Sequence, residues 1–302
     1  MNSNLQNKLV KFGVFLALYT FGIFVFFNFA FSKKEIKVDV TKKEETTTKT
    51  DTTLNANGID VKKLSTKVNG GNKINLLNEK IIRDGLKNTT DKDIKEILKS
   101  ENKLSIGYLA LLYRNPSAKL FVKDKLENKV IDNFTGESVD FKRSIPYYLQ
   151  WDRRWGQKKY TDENIAINGC GPTCMAMVVS GLSKDNSITP VELAKYEEYA
   201  EGAGTGWKYF TEVPKKYGLT VKEVGNDEQV YKNELKSGRP IIVNVGKGDF
   251  STIGHYIVLV GVDEQGNFII NDPNSPQNTN DTWTFERLKP QIKNAWSFSK
   301  GE

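Results

Sequence analysis

The sequence predicts an α+β fold, on three observations. Apolar residues recur at helical spacing from about residue 74 to residue 217. Past residue 240 the pattern changes to short β-branched runs, Pro240 to Val245, His255 to Val262 and Asn267 to Asn271. The turn Asp263-Glu264-Gln265-Gly266 joins the last two runs, which makes them an antiparallel hairpin. Helices first and antiparallel strands after is an α+β order, not an alternating one.

Upstream of that domain the chain changes character three times. Phe12 to Phe31 is uncharged and almost wholly apolar for 20 residues, enough for a helix to cross about 30 Å of hydrocarbon. Lys8 and Lys11 precede it and Lys33 and Lys34 follow, so charge decides orientation only weakly. The long polar tail behind it fits export. Residues 1–32 are therefore expected to be a signal anchor, or a signal peptide cut near Ser32, where Ala30-Phe31-Ser32 loosely fits the small-x-small rule. Either outcome makes the rest extracytoplasmic, held at the membrane through residues 12–31 or secreted. Residues 33–73, rich in Thr, Lys and Glu, hold too little apolar surface to offset ordering and are expected to be a disordered linker.

Residues 74–143 form a helical arm. Ile74, Leu76, Leu77, Ile81, Ile82 and Leu86 mark a first helix, and Thr90 or Asp91 caps a second around Ile94, Ile97 and Leu98. Tyr108 to Tyr113 is a third, stopped by Asn115-Pro116, and Ser117 opens a fourth through Leu126 and Val130. Four short amphipathic helices must bury their faces, in a small bundle or on the next domain. That domain, residues 144–302, opens extended at Ser144-Ile145-Pro146, with helices from Cys170, from Pro190 and from Trp207 through Tyr217 before the strands.

The net charge of +7 sits in the anchor and arm: residues 33–143 hold 24 Lys/Arg against 17 Asp/Glu, whereas residues 144–302 hold 18 against 20. A basic arm suits an anionic membrane surface or cell-wall polymer, or serves as a solvated spacer. No stripe of cations interleaved with aromatics appears, so nucleic acid is not an expected partner. Two Cys exclude a disulfide-stapled scaffold, a single His nearly excludes a His-rich metal site, and no cofactor is expected.

The strongest local signal is Asn168-Gly169-Cys170-Gly171-Pro172-Thr173-Cys174 followed by small apolar residues. Pro172 sits near the first turn, so Cys170 is expected at a helix N-terminus, where free N–H groups and the macrodipole favour a thiolate. A Cys taken alone is more often a buried small hydrophobe. Glycines on both sides and a proline two residues on argue otherwise, and are expected to let a substrate backbone approach. Cys174, one turn inside, reads as core, and a Cys170–Cys174 disulfide has poor geometry in a helix. His255 opens an apolar strand, and Asp272 closes the partner strand in Asn271-Asp272-Pro273. The hairpin brings both to one edge of the sheet, placing an imidazole beside a carboxylate, as a base serving a thiol requires. Asp272 can equally be read as the opener of an Asp-Pro turn.

Gly169 to Thr173, Gly254 to Tyr256 and Asn271 to Pro273, in that order, resemble the papain-like cysteine peptidases of the group related to the double-glycine leader peptidases. Gln150-Trp151-Asp152-x-x-Trp155-Gly156 resembles the group's opening motif, and the likeness covers about residues 144–300. The resemblance implies a papain-like fold and hydrolysis of peptide or isopeptide bonds through a Cys thioester. Cys170 would be the nucleophile, His255 the proton carrier and Asp272 its orienting group. The family's oxyanion Gln stands a few residues before the Cys, but here Asn164 lies six residues upstream, and Gln150 of the opening motif is the preferred donor. A thioester-based acyl transferase and a catalytically inactive peptide- or wall-binding module are the competing readings. Glu201-Gly202-Ala203-Gly204-Thr205-Gly206-Trp207 is read as a flexible rim loop, with Trp207 capping the next helix or lining a subsite. The Asn- and Asp-rich run from Asp272 to Asp281 is read as a solvated turn.

Overall fold

Side chains that accept the first free N–H groups set the helix starts. A computed structural model describes residues 64, 67–69, 78–129 and 136–301. A short strand, β1 (Val68–Asn69), precedes four helices: α1 (Glu79–Lys87), α2 (Lys92–Leu98), α3 (Ile106–Arg114) and α4 (Lys119–Leu126). Asn78 caps α1 by accepting from Ile81 N at 2.9 Å, and Asp91 caps α2 by accepting from the amides of Asp93 and Ile94. These helices do not make a bundle of their own. Leu109, Leu112, Phe121 and Val122 are fully buried in one core with Trp151, Met175, Val178 and Trp296 of the following domain. All described residues lie within one compact unit.

That domain begins with a ribbon, β2 (Lys159–Tyr160) and β3 (Glu163–Asn164), then α5 (Ile165–Asn168), α6 (Cys170–Ser183) and α7 (Pro190–Ala194). A second ribbon, β4 (Ala200–Glu201) and β5 (Gly204–Thr205), leads to α8 (Tyr209–Glu212). Pro214 lacks an N–H, and the helix expected through Tyr217 stops there and tightens into a 3₁₀ turn. The remainder is β6 (Leu219–Glu223), α9 (Glu228–Lys236), β7 (Ile241–Val245), β8 (His255–Val262), β9 (Phe268–Asn271), α10 (Pro276–Asn280), β10 (Thr282–Trp283), α11 (Phe285–Leu288) and β11 (Ile292–Lys300).

Seven strands form one sheet in the order β1-β10-β9-β8-β7-β11-β6, antiparallel except for β1 on β10. Because side chains alternate across a sheet, β7, β8 and β11 feed two cores. Ile242, Tyr256, Val258, Trp296 and Phe298 face α6 and the arm. Ile241, Val243, Ile257, Leu259 and Ala295 face α9 and α11. The fold is thus α+β, as expected.

One expectation changes at its end, and another falls outside what is described. The linker placed at 33–73 ends inside the sheet: Val68 and Asn69 pair with Thr282 and Trp283, and Asn69 O accepts from Thr284 Oγ1 at 2.9 Å. Counting apolar side chains overlooks such backbone pairing with an open sheet edge. The proposed membrane segment, Phe12 to Phe31, lies outside the described residues. Among those described, no helix is long and apolar enough to cross a membrane.

Candidate active site

Cys170 is the first residue of α6, and α5 packs just ahead of it. The glycines around it are needed for packing and do not make room for a substrate, contrary to expectation. A Cβ on Gly169 would lie 2.5 Å from Ile165 O, and one on Gly171 would lie 2.6 Å from Thr205 Cβ. They let α5 and β5 close on the start of α6 from both sides. Cys170 is partly buried and Cys174 fully buried, and both thiols are free. The Cys174 thiol donates to Tyr256 O at 3.3 Å, and burial pushes its pKa well up, with Cys170 and Asp272 adding to the shift. It is core, as expected.

The hairpin does what its pattern predicts, with one irregularity. Val258 pairs with Asn271 and Val262 with Phe268, and a bulge between Leu259 and Gly261 absorbs the offset. His255, at the start of β8, places Nε2 2.7 Å from Asp272 Oδ1. The ring also lies close enough to Cys170 for the thiol to raise its pKa. With Nε2 on the carboxylate, Nδ1 is the nitrogen left for sulfur. Burial opposes a charge on this ring. The adjacent Asp272 and the nearby Cys170 outweigh it and carry the His255 pKa from 6.5 to about 10.

Asp272 is almost fully buried and surrounded by donors. Oδ1 also accepts from Asn274 N at 2.9 Å, and Oδ2 accepts from Asn278 Nδ2 at 2.7 Å. Its own N–H donates to Thr279 Oγ1 at 2.9 Å. The solvated turn expected from Asp272 to Asp281 is therefore corrected: residues 276–280 are α10, started by Ser275 and Pro276, and they wrap the carboxylate. Asn278 and Thr279 were missed in the sequence, although Ser-Pro is a helix-start signal. Arg143 ties the same corner from below, donating to Ile270 O and Asn271 Oδ1 at 2.6 Å each and to Thr279 O at 2.8 Å.

The two candidate oxyanion donors are both buried and both engaged. Gln150 Nε2 donates to Ala166 O at 2.7 Å, its backbone N–H donates to Pro273 O at 2.8 Å, and its Oε1 has no partner. Asn164 caps α5 through Oδ1 and donates Nδ2 to Tyr108 Oη at 2.6 Å. Neither amide is hydrogen-bonded to Cys170 or His255. The fold brings Cys170, His255 and Asp272 together and holds Gln150 between α5 and the Asp272 loop. The rest of the opening motif is a knot: Trp151 Nε1 donates to Asn274 O, and Asp152 accepts from the amides of Glu137 and Ser138.

The arm reaches the site as well. Arg114, at the end of α3, donates to Asp249 O at 3.0 Å and Phe250 O at 3.2 Å, in the loop that leads to His255. It lies within electrostatic range of Asp272 and Asp249. Asp249 is paired with Arg287 and accepts from Gln291 Nε2 at 2.7 Å, so the loop is held from two sides. The expected rim loop at 201–207 is a ribbon, with Ala200 opposite Thr205 and Glu201 opposite Gly204. Among the described residues, no group of three or more His, Cys, Asp or Glu is placed to hold a metal ion.

Comparison with known proteins adds the following. The family model described as "Peptidase_C39 like family" matches residues 142–301. No curated protein matches. Among solved structures, a putative C39-like peptidase from Bacillus anthracis aligns with 17% identity and a TM-score of 0.35, over 52% of this chain and 94% of that one. The peptidase domain of Streptococcus ComA, titled a bi-functional ABC transporter involved in a quorum sensing pathway, aligns with 22% identity and a TM-score of 0.35, over 48% of this chain and 99% of that one.

Proposed function

Because the chain belongs to the Peptidase_C39 like family, matched over more than half its length, we propose that it is a cysteine peptidase that hydrolyses peptide or isopeptide bonds through an acyl-thioester on Cys170. The observation that carries this reading is the position of His255, hydrogen-bonded to Asp272 at 2.7 Å on one side and within electrostatic reach of Cys170 on the other.

The steps follow from that arrangement. His255, held as the imidazolium beside Asp272, keeps the proton given up by the thiol, so Cys170 Sγ attacks the carbonyl carbon as a thiolate. The tetrahedral oxyanion needs donors. The free N–H groups at the start of α6 supply one set, and the remaining N–H of the Gln150 amide supplies another after a small shift of that side chain. His255 returns the proton to the leaving amine, which breaks the C–N bond and leaves a thioester. Water then attacks the thioester, giving its proton to His255, and the acid departs as the C–S bond breaks. The apolar stretch from Phe12 to Phe31 supports an extracytoplasmic site of action, with peptides or proteins near the membrane or wall as substrates.

The test is labelling by a thiol-reactive peptide electrophile together with turnover of a peptide library. Cys170→Ala should lose both, and Cys174→Ala should keep both. Equal labelling of the two variants would rule the assignment out. Products formed with added amine should be free acids; amides would favour an acyl transferase.

A further inference from the structure

One wall of the cleft runs from the nucleophile to the base within seven residues, 201–207. Thr205 packs on Gly171, the neighbour of Cys170. Its carbonyl accepts from Tyr256 Oη and its hydroxyl pairs with Tyr160 Oη, each at 2.7 Å. Two residues on, Trp207 Nε1 donates to Asn244 Oδ1 at 3.3 Å, and Asn244 Nδ2 donates to His255 O at 3.2 Å.

Two side chains on this wall, Glu201 and Trp207, leave binding capacity open to solvent. The Glu201 carboxylate lies over Gly206, where an added Cβ would sit 2.5 Å from its Oε1. It is exposed and, among the described residues, makes no ion pair and no side-chain hydrogen bond. The cations nearest in sequence are not paired with it: Lys195 pairs with Glu192, and Lys208 makes no ion pair with Glu201. Trp207 is 48% exposed, with only one side of its indole resting on Trp296, at 6.1 Å between centroids. A carboxylate with no partner beside a half-open indole offers an ion pair and a π face to the same positive group.

We propose that Glu201 and Trp207 form a cation subsite, which selects peptides carrying a lysine or arginine side chain close to the scissile carbonyl. The proposal rests on the peptidase reading above and names the substrate class for that same site. An added Cβ at Gly202 or Gly204 would meet nothing within 4 Å, so this stretch leaves open space for a long cationic side chain. The field of Glu201 reaches Tyr256, which also feels Cys170, in keeping with a subsite near the reacting sulfur.

The test uses three acyloxymethyl ketone peptides that differ only in lysine, norleucine or glutamate at the two positions nearest the electrophile. The rate of Cys170 labelling is the readout. The lysine probe should react about five- to tenfold faster than norleucine at low salt, and the advantage should shrink at about 1 M salt. Glu201→Gln should bring the ratio to about twofold, and Glu201→Lys should reverse it in favour of glutamate. Trp207→Leu, which keeps an apolar contact on Trp296, should lower the lysine preference in part. Equal rates for lysine and norleucine in the unmodified protein would overturn the subsite while leaving the peptidase reading intact. If none of the three probes labels Cys170, the peptidase reading fails and the subsite falls with it.

Discussion

Asp272 cannot turn away from His255 without abandoning Asn274 N and Asn278 Nδ2, so its hydrogen bonds fix the ring as well as polarise it. Replacing it by Asn keeps an acceptor but removes the charge that raises His255. Asp272→Asn should lower kcat/KM at least about tenfold. It should also move the alkaline limb of the pH profile downward, because less holds the imidazolium proton. An unchanged limb with lower activity would mean that Asp272 acts only through packing. Linkage gives a second expectation. The folded pKa of His255 is raised from 6.5 to about 10, so the stability its pairing supplies is whole below pH 6.5 and is lost as pH rises through about 10. Melting temperatures of the native chain and of His255→Gln should therefore converge between about pH 6 and about pH 10.5. A gap that widens with pH would contradict this assignment.

At the scale of elements, the arm and the small ribbon matter most. Arg114 links α3 to the loop that delivers His255, so Arg114→Ala should lower kcat more than it raises KM. Amide hydrogen exchange in residues 249–254 should speed up in that variant; exchange unchanged there would show that the loop is held without the arm. The glycines give a sharper contrast. Gly171→Ala forces a methyl into Thr205 and should cost about 1–3 kcal/mol in urea unfolding, as overpacking does. Gly204→Ala meets nothing within 4 Å and should cost well under that. These differences also explain what could be read in advance. The starts of α2 and α6 and the β8–β9 hairpin follow from local caps, spacing and turn residues. By contrast, β11 alternates Trp296 and Phe298 with Ser297 and Ser299, yet it lies between β7 and β6, where Ser297 Oγ donates to Glu234 Oε2 at 2.7 Å. That partner lies 63 residues away and leaves no mark on the strand's own sequence.

Across the whole molecule, the same limit explains the site. Cys170, His255 and Asp272 each carry a strong neighbourhood: flanking glycines, a strand start and a strand end. Their juxtaposition follows from a helix packed on one hairpin. Asn278, Thr279 and Arg114 carry no such mark, because their roles depend on contacts made only when the chain is folded. The arm reads as a separate helical piece in sequence, yet its buried faces complete the larger core. A chain beginning at residue 136 should therefore expose Met175-side apolar surface and aggregate, whereas one beginning at Leu64, which keeps both the arm and β1, should show no aggregation by light scattering.

The two residues of β1 have a consequence for contacts between copies. By lying alongside β10 they occupy the row of amide and carbonyl groups at that margin of the sheet, so another chain cannot dock there by extending the ladder. The opposite margin is β6, where Lys222 and Glu223 stand outward and exposed Thr220 lies between Leu219 and Val221. Charge there discourages a second copy from pairing along that strand, so neither margin of the sheet invites growth into fibres.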